Sequence, residues 1–290
     1  MIRITALMDN RTSDPQRFIA EHGLSFYVEY GGKTILFDCG KTGAFLENAK
    51  NMGIDLTGLD AVALSHGHYD HAGGYRHLIE AGTRCKDVYV GADFFETKYA
   101  REPEGIRNLA PDWDAPFVQN RGIACHRVEG ILEVFPGAYL ITGFPRCHGF
   151  ETIPERFVRK KGDAWIGDDF HDEICLALQT EKGIALVVGC SHPGILNMVG
   201  HVRTAMGQPV WAVFGGTHLV EADGNRIQVT VKGLKDMGLE LLGLCHCTGE
   251  GAVSAIAAMP DVKSCYLAAG DSITLEEREE YHHVTESGCQ

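Results

Sequence analysis

Between positions 66 and 71 the chain places three imidazoles and a carboxylate, in the run Ser65-His66-Gly67-His68-Tyr69-Asp70-His71. Neutral imidazole nitrogen and carboxylate oxygen are good ligands for Zn²⁺, at about 2.0–2.2 Å. On a regular helix or strand these four side chains could not all converge, so a loop must fold them around a common point. The competing reading is a polar surface loop that happens to be rich in histidine. The order of the residues, with Gly73-Gly74 directly behind them, weighs against it.

A metal centre built on one loop is incomplete, so further ligands should come from other strand ends. His192 sits in Gly189-Cys190-Ser191-His192-Pro193-Gly194, and His246 in Leu244-Cys245-His246-Cys247-Thr248-Gly249, each after an apolar run. Alone, either would more often be a hydrogen-bonded structural histidine. Three histidine-bearing strand ends in one chain shift the balance toward ligation. A fourth, Phe214-Gly215-Gly216-Thr217-His218, stays open between metal ligand, substrate contact and hydrogen-bond partner of a ligand, with the non-ligand roles preferred. Asp38, in Leu36-Phe37-Asp38-Cys39-Gly40, reads either as a turn cap or as an acceptor that orients a metal-binding histidine.

The elements that must position these residues follow from periodicity. Residues 1–10 read as a strand with apolar positions at Ile2, Ile4, Ala6 and Met8, and residues 25–30 and 34–37 flank a Gly31-Gly32 hairpin turn. A helix is expected over 44–52, a buried strand over 60–65, a helix over 73–81 and a strand over 87–90. Residues 93–163, with six prolines spread through them, read as a long excursion carrying short strands around 131–135 and 139–142. The second half predicts a hairpin of 174–180 with 184–188, a helix over 193–205 with Pro193 in its first turn, and then alternation: strand 210–214, helix 227–237, strand 239–244, helix 251–258 and strand 262–268. Strand-rich stretches followed by helices in each half predict an α/β fold with two sheets sandwiched between helices. A single domain over 1–275 is expected, followed by a charged tail over 276–290.

Composition bounds the function. With 290 residues, 44% hydrophobic and 22% charged, the chain can bury a sizeable core. A formal net charge of −13 repels phosphate backbones, so nucleic acid is not an expected partner. No apolar run reaches the roughly 20 residues needed to span a bilayer, and the first residues lack a secretory pattern, so no membrane association is expected. Ten cysteines with no Cys-x-x-Cys spacing read as reduced thiols of a cytoplasmic protein. The expected partner is a small molecule, and self-association to a homo-oligomer stays open.

The run His66-x-His68-x-Asp70-His71 resembles the signature of the metallo-β-lactamase superfamily, and Asp38, His192 and His246 fall in that superfamily's order. Asp9-Asn10, His22-Gly23-Leu24-Ser25, Asp172-Glu173, Gly189-Cys190-Ser191-His192, Gly215-Gly216-x-His218-Leu219 and His246-Cys247-Thr248-Gly249 resemble one branch of it. That branch includes dihydropterin ribofuranosylaminobenzene phosphate synthases and many hydrolases. The resemblance covers residues 1 to about 250. It implies an αββα sandwich of two mixed sheets between helical layers. It also implies two divalent metal ions, Zn²⁺ foremost with Mn or Fe as alternatives. One ion would be bound by His66, His68 and His192, the other by Asp70, His71 and His246. Asp38, His218, Arg146 and Thr248 are the candidates for contacts to substrate or to the ligands. The chain departs from the superfamily where a carboxylate often bridges the metals: Gly215-Gly216-Thr217-His218 carries no Asp. It departs again at Cys147-His148, inside Pro145-Arg146-Cys147-His148-Gly149-Phe150-Glu151.

The chemistry implied is hydrolysis by metal-activated water, with Asp70 accepting the proton or orienting the nucleophile. Phosphoesters, thioesters, lactones and β-lactams all suit such a centre. Arg101, Arg107, Arg121, Arg146 and Arg156 are either clamps for an anionic group or solvated surface charges. Two rival classes stand beside a hydrolase: an iron-dependent oxidoreductase on the same ligands, and a non-catalytic small-molecule sensor. Cys245 and Cys247 flank His246, and strand alternation predicts that both point away from it as small core residues.

Overall fold

Strand Ile2–Met8 is buried at six of its seven positions and lies antiparallel between Ser25–Tyr30 and Ser272–Leu275 in the computed structural model, which describes residues 1–275 and 281–284. Gly31 and Gly32 (φ 58° and 76°) form the two-residue turn that pairs Tyr30 with Lys33, a conformation glycine adopts without a Cβ clash. From Lys33–Phe37 the sheet turns parallel, through Ala61–Ala63 and Asp87–Val90 to Ala124–Arg127. Parallel neighbours need crossovers, and helix Ala44–Asn51 supplies the first. The charged tail expected over 276–290 lies outside the described residues except for Tyr281–Val284, a strand antiparallel to Ser272–Leu275. This sheet runs in the order Tyr281–Val284, Ser272–Leu275, Ile2–Met8, Ser25–Tyr30, Lys33–Phe37, Ala61–Ala63, Asp87–Val90, Ala124–Arg127.

The chain gathers into two compact units. The first comprises residues 1–96, 109–127 and the described residues from 267 onward; the second comprises 97–108 and 128–266. In the first, Phe45, Ala49, Tyr75 and Leu78 from helices pack on Leu36, Val62, Leu64 and Val88. In the second, a mixed sheet runs Lys263–Tyr266, Leu241–Leu244, Val210–Gly215, Gly183–Val187, Cys175–Thr180, Ala138–Ile141, Ile131–Phe135. Its first four strands are mutually parallel and the rest antiparallel. Helices Ile195–Met206, Gly224–Asp236 and Glu250–Ala257 make the crossovers. Their Val199, Val202, Leu234 and Ile256 share one apolar core with Ile184, Leu186, Val213 and Leu242.

Two details differ from expectation. The helix expected over 193–205 begins at Ile195, because Gly194 (φ 98°) caps it and Pro193 stays in the preceding loop. The excursion over 93–163 carries more order than its prolines suggest. Besides Ile131–Phe135 and Ala138–Ile141, it supplies three strands of a four-stranded sheet ordered Ala164–Gly167, Phe157–Lys161, Lys98–Glu102, Gly105–Asn108. Gly105–Asn108 is exposed at every position, so no alternation of apolar residues announces it. Among the described residues no helix is long and apolar enough to cross a membrane.

Candidate metal centre

In the first unit the chain leaves strand Ala61–Ala63 through buried Leu64 and enters the 65–68 loop. The four-residue helix Tyr69–Ala72 follows, with His68 extended at its N-cap (φ −95°, ψ 146°). This path buries all four candidate ligands: His66 and His71 are 0% exposed, His68 5% and Asp70 6%. The His66 ring centroid lies 4.5 Å from that of His68 and 4.2 Å from that of His71. Asp70 Oδ2 is 3.9 Å from His71 Nε2. Gly74 lets this segment close on its neighbour, since a Cβ there would stand 1.9 Å from the Cys39 carbonyl oxygen.

Hydrogen bonds then fix how the imidazoles present themselves. The Asp38 carboxylate accepts from Ser65 N and Ser65 Oγ, both at 2.7 Å, and from His71 Nδ1 at 2.6 Å. With its own proton given to Asp38, the Ser65 hydroxyl is left to accept from His66 Nδ1 at 2.9 Å. Both rings are thereby assigned the tautomer with the proton on Nδ1 and the lone pair on Nε2. Asp38 therefore does more than end a strand: its carboxylate holds the ring of His71.

In the second unit His192 follows strand Gly183–Val187 in a loop held by Glu173, whose two carboxylate oxygens accept from Ser191 N (2.6 Å) and His192 N (3.0 Å). Ser191 Oγ donates to Gly216 O at 2.8 Å, which ties this loop to the one carrying His218. The His192 ring stacks on Phe170 at 3.7 Å and 16°, and its centroid is 4.3 Å from that of His218. Cys190, His192 and His218 offer ligand atoms that all lie within 4.8 Å of one another. Burial pushes the His218 imidazole down to about 4, with Glu221 opposing the shift and His246 and Arg156 adding to it. Thr248, fully buried, accepts a hydrogen bond from Thr217 N at 3.3 Å. Arg146 is exposed and donates to the carbonyl of Asp169 at 2.5 Å.

Strand alternation fails at His246. Strand Leu241–Leu244 ends before it, and His246–Thr248 form a 3₁₀ turn with His246 at φ 49°. The turn brings Cys247 back, so that Cys190, His246 and Cys247 offer ligand atoms within 4.8 Å of one another. The expectation that Cys247 points away from His246 is thus corrected.

Several contributors escape sequence reasoning. His22 Nε2 lies 3.1 Å from Asp70 Oδ2; its only signal was the His22-Gly23-Leu24-Ser25 run. Glu151 accepts from Leu196 N (2.9 Å) and Asn197 N (2.8 Å), capping the helix that follows His192, and Asn197 Oδ1 accepts from Cys147 N and His148 N. Lys98, 2% exposed, lies 3.2 Å from Asp172 Oδ2 and 3.9 Å from Asp168 Oδ2. Burial raises the Asp168 carboxyl, Lys98 lowers it and Asp172 raises it again. These charges flank the turn that presents Phe170 and Glu173 to His192. Seven described residues other than glycine have positive φ, and five of them have just been named as parts of these arrangements: Asp38, Phe170, Ser191, His218 and His246.

The donor sets fit a metal. Buried neutral imidazoles with directed Nε2 lone pairs, beside a carboxylate, suit Zn²⁺ and related divalent ions. Residues 19–171 match the family profile described as metallo-beta-lactamase superfamily. Over 264 residues the chain is 32% identical to the 7,8-dihydropterin-6-methyl-4-(beta-D-ribofuranosyl)-aminobenzene-5'-phosphate synthase of Methanocaldococcus jannaschii, with 86% of this chain and 88% of that protein covered. The crystal structure of Tm1679, a metal-dependent hydrolase of the beta-lactamase superfamily, is similar with a TM-score of 0.82 at 30% identity, covering 95% of this chain and 99% of that one. A diphosphatase of the PhnP family shares the fold with a TM-score of 0.52 at 16% identity, covering 95% and 98%.

Proposed function

The chain belongs to the metallo-β-lactamase superfamily and has its α/β fold, and from that premise we propose that it is a hydrolase using two divalent metal ions against a small, phosphate-bearing substrate. The proposed ligands are His66, His68 and His192 for one ion and Asp70, His71 and His246 for the other, Zn²⁺ being the first choice. The observation that carries the reading is the Asp38–Ser65 network, which directs buried His66 and His71 through Nε2. Such hydrogen bonds orient a ligating imidazole and raise its basicity. When bound, the ions would lower the pKa of a coordinated water to about 7 and polarise the scissile group.

The side chains divide the remaining work. Asp70, whose carboxylate lies 3.1 Å from His22, is the proposed proton acceptor. His218, kept neutral by burial, is suited to hydrogen-bond the substrate without repelling a cation. Of the five arginines, Arg156 lies over the Phe157 ring, itself 5.7 Å from His218, and is held bidentately by Glu221. It is the proposed contact for an anionic group. The phosphate in the archaeal relative's name supports the substrate class. The cytoplasm is the proposed compartment, since the nine described cysteines are all thiols.

The test is turnover of phosphoester, thioester and lactone substrates by metal-stripped protein reloaded with Zn²⁺, Mn²⁺ or Fe²⁺, alongside metal analysis. Phosphoester hydrolysis that chelation abolishes is expected, from colourless protein. Hydrolysis confined to lactones would overturn the substrate class, and a coloured iron protein that oxidises substrate would overturn the reaction class.

A further inference from the structure

We propose that Cys190, His246 and Cys247 form a binding site for a thiophilic divalent cation, chemically distinct from the imidazole–carboxylate set. Their two sulfurs and one His246 nitrogen lie within 4.8 Å of one another, and the three residues are 3%, 6% and 7% exposed. In a tetrahedral site with bonds of about 2.3 Å to sulfur and 2.0 Å to nitrogen, ligand atoms stand a little under about 4 Å apart. Small rotations about side-chain bonds close the present spacing to that value.

The backbone is shaped to hold the sulfurs there. The 3₁₀ turn at 246–248 turns Cys247 back onto the Cys190 loop, where its Sγ lies 3.6 Å from Cys190 O. Gly216 leaves the volume the sulfur needs, because a Cβ at that position would stand 2.5 Å from Cys247 Sγ. On binding, the two thiols release their protons to solvent, and two thiolates offset the charge of a divalent ion. That balance is what a buried site requires, since an uncompensated charge there is costly. Thiolate favours Zn²⁺ or Cd²⁺ over Mn²⁺ or Mg²⁺, so the set selects by softness as well as by shape. Three protein ligands leave a fourth position for water or a small thiol. Because His246 is also a proposed ligand of the second ion, filling this site withdraws its imidazole from that role.

The experiment is titration of the metal-stripped full chain with Cd²⁺, read by the ultraviolet thiolate-to-cadmium charge-transfer band. One equivalent is expected to saturate the band. Its intensity should fall by about half in Cys190→Ser and in Cys247→Ser and vanish in the double variant, since it scales with the number of bound thiolates. It should persist in Cys245→Ser, a neighbouring thiol outside the set, and in His66→Ala, which removes a ligand of the proposed hydrolytic centre only. Absence of the band in the wild-type protein, or its survival in the double variant, overturns the proposal. Cadmium NMR of the wild type needs no variant: a shift typical of two sulfur ligands supports the site, and one typical of nitrogen and oxygen alone refutes it.

Discussion

Asp38 accepts three hydrogen bonds with no exposed surface, and removing its carboxylate takes an acceptor from a backbone N–H, a hydroxyl and an imidazole at once. Asp38→Ala is expected to weaken zinc binding by about 10–100-fold, the usual cost of losing a group that orients a ligand. Competition against a chromophoric chelator measures this, and an unchanged affinity would take Asp38 out of the network. For Asp70→Asn the expectation is different in kind. The amide neither accepts a proton well nor ligates strongly, so kcat should fall by roughly 10²–10⁴ or more while the fold, followed by circular dichroism, persists. The four clustered candidate ligands were legible in the sequence because their spacing is local. His22 showed only through the His22-Gly23-Leu24-Ser25 run, since the fold alone brings it to Asp70. The 3₁₀ turn that returns Cys247 was equally hidden: Cys245-His246-Cys247 has the same letters whether the chain stays extended past Leu244 or turns.

At the scale of elements, the buried Lys98 links strand Lys98–Glu102 to the 168–173 turn through Asp172 and Asp168. That turn carries Phe170, stacked on His192, and Glu173, which holds the His192 backbone. Lys98→Met removes the cation beside two buried carboxylates, for which about 3–5 kcal/mol of stability loss is expected. Urea unfolding reads that loss, and adding Asp172→Leu should recover part of it by removing one stranded charge. If Lys98→Met unfolds at the wild-type midpoint, the charges are not coupled as described. The large sheets were readable from apolar runs and glycine turns, and so were the strand ends where histidines sit. The four-stranded sheet of the excursion was not, because its exposed strands lack the two-residue alternation that burial of one face imposes.

For the whole molecule, the proposed ligands come from segments far apart in the chain, so a bound ion favours the folded state over any unfolded one. At free metal about 1,000-fold above Kd, binding is worth about 4 kcal/mol. Chelation is therefore expected to lower the melting temperature, and His192→Ala, which keeps the ligands proposed for the second ion, should show a smaller metal-dependent rise than the wild type. Equal melting curves with and without chelator would separate metal binding from stability. Composition at this scale bears on partners only through charge. A net charge of −13 is the ground for expecting no nucleic-acid partner, but it does not distinguish a phosphoester from a lactone, a choice that would fall to the local field of the proposed cations.

The left-handed backbone of Asp38, Phe170, Ser191, His218 and His246 has an evolutionary consequence. Each such residue costs on the order of 1–3 kcal/mol relative to a relaxed conformation, and glycine or asparagine would relieve much of it. At Asp38, Ser191 and Phe170 the buried side chain itself offsets that strain, so a lineage selected only to stay folded would drift toward those two residues above all at His218 and His246. Residues that folding alone disfavours are retained only while something else rewards them. A mutational library sorted for cellular abundance should enrich glycine and asparagine there, and the same library sorted for catalysis should reject them, marking these positions as the ones where persistence and purpose pull the sequence in opposite directions.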